Sequence, residues 1–198
     1  ITYNSFLKTC ESKKYNYSFY LGYDDDDKYY QDHKLEIEEY FKSLNKDNKL
    51  YLIEIKGLQG KVGQIWSRLA EIAAKDNDFL YQIGDDIEII DSGWEEAFIS
   101  KLKEQNYIGV VGPRDLNNAA GILTQSFVHI THLNLFGTYY PKEIENWYID
   151  DWITQVYNSR KMFNIKVKNI GGCPRYNIVN NKKGYLETLK RSKEKFGN

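Results

Sequence analysis

The chain is expected to fold as an α/β protein, a three-layer α/β/α sandwich around a mostly parallel sheet. Short apolar runs of strand length alternate with amphipathic segments at helical spacing along its 198 residues, an order that builds a sheet covered by helices. The run from Phe79 to Ile83 stops at Gly84 and two adjacent carboxylates, Asp85 and Asp86, as a buried strand does when it presents polar groups at its carboxyl end. With 41% hydrophobic and 15% aromatic residues, the chain can bury a full core, and residues 1–198 read as a single domain with no internal repeat or linker.

From the amino end, Ser5 to Glu11 reads as a short helix and Tyr17 to Tyr23 as a strand running into the acidic loop Asp24 to Asp27. His33 to Leu44 reads as a helix, Leu50 to Ile55 as the next strand, and Gly60 to Ala74 as a helix with an apolar face. After the strand at Phe79 to Ile83, Ser92-Gly93 starts a helix reaching Gln105, with Trp94, Ala97, Phe98, Ile99 and Leu102 spaced to share a face. A strand at Tyr107 to Gly112, a loop with Pro113 and Asn117-Asn118, and an apolar stretch at Phe127 to Phe136 follow. A helix at Ile149 to Tyr157, a strand at Phe163 to Val167 and a basic helix from Tyr185 to Phe196 complete the order.

Composition excludes several classes of function. A formal net charge of −1 and the lack of a lysine-rich block interleaved with aromatics argue against a nucleic-acid partner. Cys10 and Cys173 are too few for a disulfide framework or a zinc site, and a single bridge between them stays open. No run approaches the roughly 18 apolar residues of a membrane span. Met162 is the only methionine, so Ile1 reads as the edge of a processed protein or of a domain from something longer. A cytoplasmic enzyme or a detached domain, in possible company with other domains of a larger protein, is the expected setting.

Two carboxylate pairs carry the chemistry. Asp85 and Asp86, between a buried strand and an amphipathic helix, are hard oxygen donors suited to Mg²⁺ or Mn²⁺ carrying a phosphorylated substrate. Asp150 and Asp151 open a helix among aromatics. For Asp150 a first-turn cap stabilised by the helix dipole is the competing reading. Asp151, between Trp147 and Trp152 in sequence, is expected to be partly desolvated and so to bind a proton more tightly, as a general base does. Trp147 and Trp152 would offer platforms for the apolar faces of sugars. His129 and His132 alternate with apolar residues and read as core histidines satisfied by neighbours.

Gly-Asp-Asp-Ile-Glu at 84–88 followed by Gly-Trp, Tyr-Pro at 140–141 and Asp-Asp-Trp at 150–152 together resemble the nucleotide-sugar-dependent glycosyltransferases of the GT-A fold. The nearest likeness is to the N-acetylglucosaminyltransferases that start N-glycan branching, and it spans about Tyr17 to Ile170. The resemblance implies Asp86 as direct metal ligand and Asp85 as the neighbour that contacts ribose or positions the metal. It implies Asp151 as the base for an acceptor hydroxyl, with Trp147, Asp150 and Trp152 on the acceptor side. Asp24 or Asp25 would meet a uracil N–H, and Lys61 and Arg68 would give a basic contact to the donor, UDP-linked by family habit alone, while a solvated turn and surface ion pairs are the plainer readings. The acceptor would be a glycan, a protein or another hydroxyl compound.

Three departures weigh against a full carry-over. Gly84 stands where many relatives carry the first acid of an Asp-x-Asp, no histidine lies in the last 66 residues, and the first strand of the GT-A sheet is represented at most by Ile1 to Tyr3. A non-catalytic GT-A-like domain that uses its cleft for binding is therefore the rival expectation.

Overall fold

The computed structural model describes residues 1–10, 13–158, 160–171 and 179–196. Gly172 and Cys173 lie outside the described residues, and with them the bridge to Cys10. Two sheets form. β1 (Ser18–Asp24) and β2 (Lys49–Ile55) pair in parallel, from Ser18 against Lys49 to Asp24 against Ile55. The second sheet has five strands in the order β3 (Phe79–Gln82), β6 (Ser126–His129), β5 (Val110–Asp115), β7 (Arg160–Asn169) and β4 (Ile87–Ile89).

The expectation of a mostly parallel sheet is corrected. Among the described residues only β1–β2 and β5–β7 are parallel, whereas β3–β6, β5–β6 and β4–β7 are antiparallel. Connection length is the cause. A parallel return needs a crossover of a dozen residues or more, usually helical, and the irregular stretch 116–125 between β5 and β6 is too short for one. β4, whose Ile-Glu-Ile alternation the sequence reading passed over, follows the carboxylate turn directly and pairs with β7.

Helices cover the five-stranded sheet on both faces. α1 (Thr2–Thr9) and α5 (Trp94–Glu104) supply Phe6, Trp94, Phe98 and Leu102 to one core with Val111, Phe127 and Val167. On the other face α4 (Val62–Ala73), α7 (Ile149–Val156) and α8 (Lys182–Lys193) bring Ala70, Trp152, Ile153 and Leu189 against Val110 and Val128. Val110 and Val111, like Phe127 and Val128, divide between the two cores because successive strand residues point to opposite faces. The remaining helices are α2 (Lys28–Asp32), α3 (Lys34–Leu44) and α6 (Thr131–Phe136). Among the described residues no helix is long and apolar enough to cross a membrane.

Two boundary shifts have local causes. The strand expected from Tyr107 begins at Val110, because Asn106 and Tyr107 adopt left-handed backbone (φ 52° and 62°) and the Tyr107 N–H closes α5 on Leu102 O at 2.7 Å. The residues after the acidic loop form α2, a helix the sequence reading did not expect, because the Asp27 side chain caps it by accepting from the Tyr30 N–H at 3.4 Å. Pro113 has no N–H to give the ladder, and the β5–β7 register shifts between Gly112 and Arg114. The shift carries Asp115 to a buried place at the end of β5.

Phe98 is fully enclosed in the core under α5. Phe98→Ala is expected to lower the unfolding free energy by about 3–5 kcal/mol, read from urea denaturation followed by circular dichroism.

Candidate functional site

Acidic side chains from three separate elements gather at one end of the five-stranded sheet. The first is the turn Ile83 to Asp86 between β3 and β4. It is pinned by Thr2 at the start of α1, whose hydroxyl accepts from the Ile87 N–H at 3.0 Å and lies 2.7 Å from Gly84 O and 2.8 Å from Ile87 O. Its single proton serves one of those carbonyls at a time. Asp85 is exposed and Asp86 half-buried.

The Asp86 carboxylate lies between two glycines. A Cβ on Gly84 would stand 2.5 Å from Asp86 Oδ1, and one on Gly171 would overlap Asp86 Oδ2. Gly84 is therefore more than a missing acid: a side chain there would turn the Asp86 carboxylate away. Burial, followed by the charges of Asp85 and Asp115, raises the proton affinity of Asp86.

Asp115, the second contributor, was passed over in the sequence, where it was read as loop beyond Pro113. A carboxylate at the end of the buried run Val110 to Gly112 was the available signal. Its Oδ1 accepts from the N–H groups of Asn117 (3.0 Å) and Asn169 (3.3 Å), and its Oδ2 from the Thr124 hydroxyl (3.1 Å). The next amide along, that of Ile170, donates to Asp86 O at 2.9 Å. Consecutive amides at the end of β7 thus hold both acids.

The third contributor is the first turn of α7. Asp150, half-buried, is pushed up to about 7 by burial and then by the charges of Asp151 and Asp115. Asp115 acts electrostatically on both Asp86 and Asp150, which ties the three elements into one acidic site. The Leu123 N–H, beside Thr124, donates to the Thr154 hydroxyl at 2.8 Å and fixes α7 to the same loop. Asp151, like Asp150, is half-buried. It lies within electrostatic reach of Tyr185 on α8.

The tryptophans separate. Trp147 is 49% exposed, beside a cavity of about 220 Å³ lined also by Lys142, Glu145 and Val179. Trp152 is buried in the core, its Nε1–H donating to the Ser192 hydroxyl at 3.3 Å, and it offers no face to a sugar. Between them Tyr148 adopts a left-handed φ of 75° before α7, held by stacking on Tyr185 at 4.9 Å and by its hydroxyl on Asn180 Oδ1 at 2.9 Å.

On the other sheet Asp24 is buried at the end of β1, and Asp25 accepts from the Gln59 side chain. α2 connects this strand end to the site, since Tyr30 stacks on Tyr23 at 5.4 Å and has its hydroxyl proton held more tightly by burial and then by nearby Asp85. Lys61 meets Glu145 at 4.0 Å where α4 begins, and Arg68 pairs with Glu71 at 3.3 Å on an exposed helix face.

His132 is a core residue. Its Nε2 is 2.8 Å from Tyr139 O and must donate there, so Nδ1 accepts from the Tyr157 hydroxyl, also at 2.8 Å. Burial of this neutral ring pulls its pKa down to about 4.

Comparisons with protein-family models, curated proteins and solved structures give no match. The site must be read from its own chemistry. Among the described residues no group of three or more His, Cys, Asp or Glu stands ready to hold a metal ion. Asp85 and Asp86 supply hard oxygens of the right type, so a divalent ion here would take its remaining ligands from a substrate or water.

Two outcomes are expected. Gly171→Ala should turn the Asp86 carboxylate aside, visible as a shift of the Asp86 side-chain carboxyl resonance and its titration while the core resonances stay. For Asp150 the folded-state affinity is above the unfolded one, so its contribution to stability is present at low pH and lost as pH rises from about 4 through about 7. Asp150→Asn should therefore gain stability relative to the parent over that interval, on the order of 2 kcal/mol at pH 8, measured by urea unfolding at several pH values. His132, whose lowered affinity gives the opposite slope, is common to both chains and cancels.

Proposed function

We propose that the chain is a divalent-metal-dependent glycosyltransferase of GT-A type, moving a sugar from a nucleotide diphosphate to an acceptor hydroxyl. The gathering of Asp86, Asp115 and Asp150 from three elements at one sheet end supports this reading. In it, Asp86 with Asp85 holds Mn²⁺ or Mg²⁺ on the diphosphate, where the ion would neutralise charge developing on the leaving group. Asp115, held by the Asn117 and Asn169 amides, raises the proton affinity of its neighbours.

The proton acceptor of this reading is Asp150, replacing Asp151. Its carboxyl is half-buried and titrates near neutrality, which suits a group that takes a proton from an attacking hydroxyl. Attack from the face opposite the diphosphate would invert the anomeric carbon. Asp151, beside Tyr185, is left to the acceptor side, with exposed Trp147 as the sugar platform. Tyr30, stacked on Tyr23 and near Asp85, stands where a base and ribose would be received. Uridine as the base rests on the motif resemblance alone.

A second reading is favoured by one observation: among the described residues no group of three or more His, Cys, Asp or Glu is gathered for a metal. A domain that keeps the cleft for binding without turnover would have the same geometry.

Calorimetric titration of UDP with and without Mn²⁺ separates them. Metal-dependent binding that weakens at least tenfold in Asp86→Ala is expected, and Asp150→Asn should bind UDP normally while losing about 10²–10⁴ of transfer or donor hydrolysis. Normal UDP binding with no turnover in the parent would support the binding domain, and no binding with or without metal would sink both.

A further inference from the structure

A second concave site stands beside the acidic one. The cavity of about 220 Å³ next to Trp147 lies between the loop 142–147 and residues 179–181 ahead of α8, and Asp85, Asp86, Asp115, Asp150 and Asp151 do not line it. Its volume is below the roughly 300–1,000 Å³ of pockets that take drug-sized ligands. It has room for one small ring.

The walls are fixed from behind. The Gly63 N–H donates to Glu145 O and the Gln64 side-chain amide to Lys142 O, both at 2.8 Å, and a Cβ on Gly63 would stand 2.7 Å from Ile144 O. Asn146 joins the two sides of the cavity. Its Oδ1 accepts from the N–H groups of Trp147 at 2.6 Å and Val179 at 3.0 Å, while its Nδ2–H donates to Gly60 O at 2.9 Å. With the main chain held on α4, the side chains of Lys142 and Trp147 are left exposed.

The chemistry of the walls is mixed. Glu143 is matched by Arg191 at 2.6 Å and Glu145 by Lys61 at 4.0 Å, so each carboxylate has a counter-charge and lone pairs to spare. Lys142 and the Asn181 amide, whose Oδ1 accepts from the Gly184 N–H at 3.0 Å, add donors. Trp147 and Val179 add apolar surface. A ligand of either charge would meet a like charge among Lys142, Glu143 and Glu145. A neutral ring with an apolar face and several hydroxyls, each both donor and acceptor, meets every wall with its own kind of contact.

We propose that this cavity is the second sugar subsite of the acceptor, so that the acceptor is a neutral oligosaccharide of at least two residues. One sugar presents its hydroxyl to Asp150 and the next stacks on Trp147. The proposal rests on the glycosyltransferase reading of the acidic site. Trp147 lies three residues before Asp150, which limits their Cα separation to about 11 Å at most and puts neighbouring sugars within reach of both. Between them Tyr148, at a left-handed φ of 75°, turns the chain so that Ile149 is buried while Trp147 stays outside. Stacking of Tyr148 on Tyr185 at 4.9 Å holds that spacing. A single sugar, or a serine or threonine of a folded protein, would leave the cavity unfilled and gain nothing from Trp147.

The test is a titration of the ¹⁵N-labelled protein, with and without UDP and Mn²⁺, with a panel of neutral disaccharides, their constituent methyl glycosides and the corresponding uronic-acid disaccharides. The indole N–H resonance of Trp147, assigned by its loss in Trp147→Phe, is the readout. At least one neutral disaccharide is expected to shift it and to bind at least tenfold more tightly than its methyl glycosides. That affinity should fall at least tenfold in Trp147→Ala and largely survive in Trp147→Tyr, which keeps a ring, with Tm unchanged in both. No shift by any neutral disaccharide, equal binding of the methyl glycosides, tighter binding of the uronic acids, or an affinity untouched by Trp147→Ala would overturn the proposal. Should Trp147→Ala fail to fold, Val179→Asp, which puts a charge in the opposite wall, is read in its place with the same outcomes deciding. The two readings fail separately. A disaccharide on Trp147 in a protein that takes no UDP sinks the transferase and leaves the two-sugar site, whereas UDP binding with no disaccharide on Trp147 does the reverse.

Discussion

Consecutive amides at the end of β7 organise the acidic end of this protein. Asn169 donates to the Asp115 carboxylate and Ile170 to the Asp86 main-chain carbonyl. Neither acid could be kept there by the carboxylates themselves, since like charges at close range repel and burial disfavours each charged form. Backbone donors that cannot rotate away supply the opposing attraction, and Thr124 and Asn117 add theirs. Burial, with the neighbouring carboxylates after it, makes Asp86 and Asp150 bind protons more readily than a free carboxylate. The electrostatic character of the site thus follows from where one strand ends.

That ending depends in turn on the interior of the sheet. Pro113 interrupts the β5 ladder, the register against β7 shifts, and Asp115 meets Val167 with Asn169 close by. Beneath, the two cores hold β5 and β6 from opposite faces through Val110, Val111, Phe127 and Val128. A register slip would exchange those faces, burying polar groups and exposing valines, so packing resists any displacement of the acids. Gly84 and Gly171 leave room for the Asp86 carboxylate that any Cβ would invade.

Much of the molecule was legible from residue pattern. The apolar spacing of Val62 to Ala73 and of Trp94 to Glu104 marks helices that tertiary packing leaves almost unaltered. Asp85 and Asp86 stand out because a buried strand stops on them. Less legible were strand directions, since pattern alone does not say that residues 116–125 turn back without a helix. Trp152 and Trp147 look equivalent as neighbours of Asp151 in sequence, yet Trp152 lies within α7 and turns into the core, while Trp147 precedes the helix, before left-handed Tyr148, and stays exposed. Asp115 was hard to see as a site residue for a related reason: a lone acid two residues past Pro113 has the composition of a loop, and only its place after the buried run Val110 to Gly112 marks it.

The sequence by itself determined the local elements, the two carboxylate pairs and the apolar content of the cores, because those depend on propensity, capping and periodicity within a few residues. Tertiary structure alone decided that Asp150 binds its proton more tightly, which tryptophan is available, and that Asp115 joins Asp86 to Asp150. Those properties depend on residues far apart in the chain, such as Asp86, Asp115 and Asp150, meeting at one sheet end, where burial and neighbouring charge are set by strand register and by no local pattern.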